Sequence, residues 1–173
     1  MNCIVNVAEN WGIGRDGRLL VSISEDLRRF RALTTGRAVI LGRRTLATFP
    51  GGRPLKNRTN LILSSDPSLA VEGAVVVHGL AELAAACRAY PPEDLCVIGG
   101  ASVYALLLPY CDTAHVTRTF LTPPADRFFP DLDAAPGWTL ADASDVREEN
   151  GVRYQFLEYH CGGALPLPGG EDR

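Results

Sequence analysis

Short runs rich in Val, Ile and Leu recur along this chain with longer helical patterns between them, and that alternation constrains the fold more than any other feature. The runs are Cys3–Ala8, Ala38–Leu41, Asn60–Ser64, Ala74–His78, Leu95–Ile98, Ala114–Phe120 and Val152–His160. Several are continuously apolar, as strands buried on both faces are. Helical periodicity falls on Ser24–Thr34, Arg44–Thr48, Leu80–Ala89 and Ser102–Leu108. Strand–helix alternation of this kind predicts an α/β domain with a mostly parallel central sheet and helices on both faces. Only the stretch Pro123–Asn150, with no helical period, separates the last two strands, so an antiparallel C-terminal strand is expected. One domain is expected over residues 1–160, followed by a disordered Gly- and Pro-rich tail over residues 161–173.

Composition then removes whole classes of function. Hydrophobic residues make up 46% and charged residues 21%, which is a globular and not a disordered balance. No apolar run approaches the roughly 18 residues of a membrane span, and the first residues lack a basic and then apolar leader pattern. The formal charge of −3 argues against nucleic acid as a partner. Lys56 is the single lysine and lies in a polar turn, a poor place for Schiff-base chemistry. Cys3, Cys87, Cys96, Cys111 and Cys161 are widely spaced without a CxxC pair, and His78, His115 and His160 are far apart. A reduced cytoplasmic protein without a metal site is the expectation.

The segment Gly12-Ile13-Gly14-Arg15-Asp16-Gly17 matches the G-x-G-x-x-G dinucleotide pattern, but no helix start follows it. The stretch Glu9–Ser22 instead reads as a long glycine-punctuated loop after the first strand, of the length that functional lids have.

Asp26 is the acid in an unusual place. On the helix Ser24–Thr34, Leu27, Phe30, Leu33 and Thr34 all fall within about 100° of it, so it sits inside the apolar stripe. As a first-turn acid it would be solvated and dipole-favoured; in a pocket it would be a ligand-binding carboxylate. Ser22 and Ser24 are candidate caps, with Ser22 and Glu25 at capping-box spacing. Three strand ends carry groups suited to phosphate: Gly42-Arg43-Arg44-Thr45, Leu63-Ser64-Ser65, and Gly99-Gly100-Ala101-Ser102 before a helix start. Together they suggest one long phosphorylated ligand across the carboxyl edge of the sheet, and arginine there favours a 2′-phosphate.

Those blocks, in order, resemble dihydrofolate reductase: Asn10-Trp11-Gly12-Ile13-Gly14, Glu25-Asp26-Leu27 with Phe30, Leu41–Thr45, Gly52–Asn60, Ile98–Tyr104, Val116-Thr117-Arg118 and Phe128-Phe129-Pro130-Asp131. The resemblance implies NADPH-dependent reduction of 7,8-dihydrofolate to tetrahydrofolate by a cytoplasmic monomer that antifolates inhibit. It assigns catalysis to Asp26 supported by Thr117. Substrate contacts would come from Asn6, Leu27, Phe30, Thr48, Phe49, Leu55, Arg58 and Ile98, with Arg58 on the glutamate α-carboxylate. Cofactor contacts would come from Ala8, Ile13 and Gly14, from Gly42, Arg43, Arg44 and Thr45, and from Leu63, Ser64 and Ser65. Ile98, Gly99, Gly100, Ala101, Ser102, Val103 and Tyr104 complete the set, Arg43 and Ser64 taking the 2′-phosphate. Glu9–Ser22 would be the mobile loop over the nicotinamide, assisted by Asp126.

The chain departs from the family's usual pattern at five positions. Leu20 and Ser24 replace prolines, Val21 a tryptophan, Asn6 a small apolar residue and Arg127 a small hydroxyl. Two rival readings are a same-fold reductase of a ribosylated pyrimidine and a non-catalytic NADPH-binding protein. The first would lack the Asp26 and Arg58 pair.

Overall fold

Alternate residues of the central strands enter two separate cores, one on each face of the sheet. Ala38 and Ile40 lie in one cluster and Val39 and Leu41 in the other; Leu95 and Val97 alternate in the same way with Cys96 and Ile98. That period of two is what a strand imposes, and burial on both faces explains why these runs read as unbroken apolar sequence. The structure is a computed structural model and describes residues 1–169.

In chain order the elements are β1 (Asn2–Val7), β2 (Gly12–Arg15), β3 (Arg18–Leu19), α1 (Ser24–Thr34), β4 (Ala38–Gly42) and α2 (Arg43–Thr48). There follow β5 (Thr59–Leu63), β6 (Val75–Val77), α3 (Leu80–Cys87), β7 (Leu95–Gly99) and α4 (Ala101–Leu107). The chain continues through β8 (Thr113–Thr119), β9 (Arg127–Phe128), β10 (Trp138–Ala143), β11 (Arg147–Glu149) and β12 (Val152–Cys161). The main sheet has the order β10-β12-β8-β1-β7-β4-β5-β6, with β11 paired to β12. From β8 to β6 all pairings are parallel, and the β8–β12 and β12–β10 pairings are antiparallel. Helices α3 and α4 supply Leu83, Cys87, Val103, Tyr104 and Leu107 to one core, and α1 and α2 supply Phe30, Leu33 and Leu46 to the other. This is the α/β sheet with helices on both faces and an antiparallel C-terminal strand that the alternation predicts.

The stretches read as loops differ. Glu9–Ser22 contains the hairpin β2–β3, whose turn residues Asp16 and Gly17 have φ of 50° and 75°. An Asp-Gly pair with both φ positive is the two-residue turn that matches strand twist. Gly12 and Gly14 serve this hairpin: a Cβ on Gly12 would lie 2.9 Å from Ala125 Cβ, and one on Gly14 3.1 Å from the Arg18 carbonyl. Pro123–Asn150 holds β9, β10 and β11. Strand β10 is almost wholly exposed, so no alternation marks it in the sequence. The disordered tail expected from Cys161 also differs: Cys161 ends β12, the Leu165 amide donates to the Pro109 carbonyl at 2.9 Å, and Leu167 packs on the core. One backbone hydrogen bond and one packed leucine hold this stretch against the domain. Residues 170–173 of that tail lie outside the described residues.

Neither serine caps α1. Its N-cap is Ile23, and the first amides are met from outside: Glu149 of β11 accepts from the Ser24 N–H at 2.9 Å and from the Glu25 N–H at 3.4 Å. The Glu25 carboxylate in turn accepts from Arg147 of β11 and the Tyr154 hydroxyl of β12. The β11–β12 hairpin therefore holds the end of α1 that carries Asp26. Hydrogen bonds from the Ser24 backbone and side chain keep the Glu149 carboxyl below its ordinary value of 4.5. A depressed folded-state value means the cap is complete at neutral pH and is lost as pH falls through and below that range. Glu149→Ala is expected to lower Tm by a few degrees at pH 7, with the difference from wild type vanishing in acid; thermal melts from pH 7 to pH 3 check this.

Candidate active site

Asp26 lies in the first turn of α1 and is half-buried. The Thr117 hydroxyl donates to its Oδ1 at 2.5 Å and the Asn6 side-chain amide to its Oδ2 at 2.9 Å. Asn6 and Thr117 are register partners on the adjacent parallel strands β1 and β8. Ile4 and Asn6 share a face of β1, and Ile4 belongs to the core beneath α1, so both donors rise toward the helix. Thr117 is 1% exposed. Arg29, one turn along α1, stacks 4.6 Å over the Phe156 ring. Burial pushes its guanidinium below the ordinary arginine value, and the nearby Asp26 and Glu158 carboxylates act the other way.

Beside Asn6 opens a cleft of about 1130 Å³ at the carboxyl ends of β1, β4, β5 and β7. Of the predicted residues, Asn6, Ile13, Gly14, Gly42, Arg43, Arg44, Thr45 and Thr48 line it. So do Leu63, Ser64, Ser65, Ile98, Gly99, Gly100, Ala101, Ser102, Val103 and Tyr104. Asp26, Thr117, Leu27, Phe30, Phe49, Leu55, Arg58 and Ala8 are not among its walls. Ala8 borders a separate cavity of about 10 Å³ shared with Asn6, Leu20 and Val21. Phe30, Phe49 and Leu55 pack with Ile98 on the α1-side core, and Leu27 is 55% exposed. Arg58 donates through Nε to the Lys56 carbonyl at 2.9 Å, and burial, with Arg31 nearby, lowers its proton affinity.

The cleft's glycines are fixed by close approach. A Cβ on Gly42 would stand 3.2 Å from Val103, one on Gly100 3.2 Å from Thr45, and one on Gly99 3.2 Å from the Tyr104 ring. The starts of α2 and α4 thus meet over the strand ends. A register shift between Ile40 and Leu41 pairs Leu41 with Gly99 and leaves Ile98 out of the ladder beside the cleft. The buried Tyr104 hydroxyl donates to the Ile4 carbonyl at 2.6 Å, and desolvation lifts it well above the ordinary tyrosine value. It is a fixed donor, not a proton source.

Sequence reasoning missed part of the lining: Arg15, Asp16, Arg18, Leu19 and His78 also face the cleft. The Asp-Gly turn signal could have found the first three. His78 Nδ1 lies 3.0 Å from the Ser64 carbonyl. Asp66 was missed too: it pairs with Arg43 at 3.4 Å, and hydrogen bonds from Ser68 hold its carboxyl below the ordinary range.

The lid is pinned over the cleft. Strand β2 pairs with β9, the Asp16 amide donates to Asp126 Oδ2 at 3.0 Å, and the Asp126 amide donates to the Gly14 carbonyl at 3.0 Å. At its base Trp11, with φ of 64°, stacks on Phe129 and carries the Arg118 guanidinium 4.5 Å above its ring. Two buried cysteines are unsuited to nucleophilic work. Burial raises the Cys87 thiol to about 11, and a hydrogen bond with Cys111 raises Cys3 well above its ordinary value. Thiols so raised are poor nucleophiles at neutral pH. No group of side chains suited to a metal ion occurs among the described residues.

Residues 1–161 match the family model of dihydrofolate reductase. The chain belongs to the dihydrofolate reductase family. It is 36% identical over 149 residues to the Bacillus subtilis dihydrofolate reductase, covering 85% of this chain and 86% of that protein. It is likewise 36% identical over 152 residues to the Mycobacterium leprae dihydrofolate reductase, covering 86% of this chain and 90% of that one. Its fold resembles the dihydrofolate reductase from Enterococcus faecalis complexed with NADP(H), with a TM-score of 0.81 at 33% identity, over 93% of this chain and 95% of that one. Within a dihydrofolate reductase frame, two of the unusual positions acquire a place. Asn6 holds Asp26, and Val21 borders the small cavity at its side. Arg127 is exposed and donates to the Asp126 carbonyl.

Removing the lid's pin should loosen it alone. Asp126→Ala is expected to speed amide hydrogen exchange across Gly12–Leu19 and leave β1 and β7 unchanged. Equal protection of the lid in both proteins would show that β2–β9 pairing suffices.

Proposed function

We propose that this chain reduces 7,8-dihydrofolate to 5,6,7,8-tetrahydrofolate with NADPH, acting in the cytoplasm as a monomer that antifolates inhibit. The observation that carries the reading is Asp26, gripped by Asn6 and Thr117 beside a cleft rimmed by Gly, Ser, Thr and Arg. A flat pterin offers paired N–H donors on its pyrimidine edge, and a carboxylate is the group that accepts two at once. Asp26 holds that edge and promotes protonation at N5. Leu27, Phe30, Thr48, Phe49 and Leu55 wall the pterin and aminobenzoyl rings, and Arg58 takes the glutamate α-carboxylate.

The long cleft suits a dinucleotide. NADPH, when bound, supplies the hydride delivered to C6. The close-packed Gly42, Gly99 and Gly100 let the backbone approach its phosphates, with Thr45 and Ser102 beside them. Arg43 and Ser64 hold the 2′-phosphate, which would draw the Arg43 guanidinium away from Asp66. The lid, pinned by Asp126, excludes water from the nicotinamide end. No described helix is long and apolar enough to cross a membrane.

The direct test is NADPH oxidation with dihydrofolate, run with and without methotrexate. Asp26→Asn is expected to fold and bind NADPH but to lose about 10²–10⁴-fold in turnover at neutral pH. The loss should be smaller in acid, where the substrate arrives already protonated. Arg43→Ala is expected to raise the KM for NADPH far more than for NADH, because only NADPH carries the 2′-phosphate. Equal effects on the two cofactors would move Arg43 out of the phosphate site.

A further inference from the structure

We infer that Asn6 is a positioning residue for Asp26, and that with Thr117 it fixes the plane of the carboxylate that meets the pterin edge. The inference rests on the function proposed above. The torsion that turns an aspartate's carboxylate about its own axis is broad and has no sharp rotamer, so packing around Cβ leaves the plane free to swing. Here two donors remove that freedom. Thr117 donates to Oδ1 at 2.5 Å and Asn6 to Oδ2 at 2.9 Å, one on each oxygen. They come from register-paired positions on neighbouring parallel strands, Asn6↔Thr117, within the most continuous pairing of β1. The two donors therefore stand side by side on a rigid base, and Asp26 reaches them from the opposite layer, α1.

The geometry has a chemical consequence. Each carboxylate oxygen has about two lone-pair sites. One on each is occupied by the clamp, and one on each remains. That leaves a flat, two-acceptor edge of set orientation, matched to two N–H donors in a plane. A one-donor clamp would leave the same acceptors but not their direction, and small errors of direction are costly when two hydrogen bonds must close together. Asn6 also lines both the main cleft and the small cavity beside Val21, so it stands between the ligand's space and the strand. A residue there that merely filled space would not need a donor; the amide is aimed at Oδ2.

A double-mutant cycle tests this, because a residue acting through the carboxylate loses its effect when the carboxylate is gone. Asn6→Leu keeps the size and removes the donor. In the wild-type background it is expected to lower kcat/KM for dihydrofolate and methotrexate affinity about tenfold each, the scale of one donor lost from a charged acceptor. The NADPH Kd should stay within about twofold. In the Asp26→Asn background the same change should cost less than about twofold. Asn6→Ala, run through the same cycle, gives the answer where leucine disturbs folding, which Tm and NADPH binding report. Equal losses in both backgrounds would show that Asn6 packs and does not position, and no loss in either would remove it from the site. A wild-type protein that fails to oxidise NADPH with dihydrofolate would instead overturn the proposed function itself.

Discussion

Two-sided burial of the parallel strands governs the rest of this structure. Val39, Ile40, Leu41, Leu61, Ile62 and Val97 are all at most 1% exposed, so their strands have no solvated face on which to carry polar chemistry. Backbone groups in that interior must pair within the ladder. Polar side chains are therefore pushed to the carboxyl ends of the strands, where the ladder stops and helices begin. Asn6, Gly42, Ser64, Gly99 and Thr117 occupy or adjoin such ends, and each borders the cleft or touches Asp26. The cleft lies there because the middle of these strands is apolar on both faces, and ligands of such sheets bind beyond the carboxyl ends.

A carboxylate set into this edge needs support from several layers. Its oxygens are held by strands β1 and β8, and its helix is held at the N-terminus by β11 and β12 through Glu149, Arg147 and Tyr154. Glu25 and Asp26 are sequence neighbours with separate tasks: one fastens the helix to the antiparallel hairpin, the other is held by Asn6 and Thr117 beside the cleft. This division lets the hairpin, more than 120 residues away in sequence, set where the carboxylate stands. The lid is similarly built from two distant segments, since β2 is fastened by β9 and by Asp126.

The sequence showed the alternation of strands and helices, the boundaries of α1 and the misplaced Asp26, because each depends on local periodicity or on residues close together in the chain. It also exposed the dinucleotide-like glycine pattern as false, since no helix followed. It did not reveal the β2–β3 hairpin, although Asp16-Gly17 carried a turn signal that the overlapping glycine pattern obscured. Strands β9, β10 and β11 left no readable alternation: they are short or exposed, and pairing partners rather than side-chain burial define them.

What the sequence determined by itself was the class of fold, the order of its buried strands and helices and the residue types gathered at the strand ends. Those follow from periodicity and composition, which neighbouring residues are enough to set. Only the tertiary structure decided that Glu149 caps α1 in place of Ser22 or Ser24, that Asp66 pairs with Arg43, and that the amide of Asn6 joins Thr117 on Asp26. Each is a contact between segments far apart in the chain, fixed by strand register and layer packing. A one-residue slip of β1 against β8 would turn Asn6 away from the helix, and no local pattern in the sequence records which register wins.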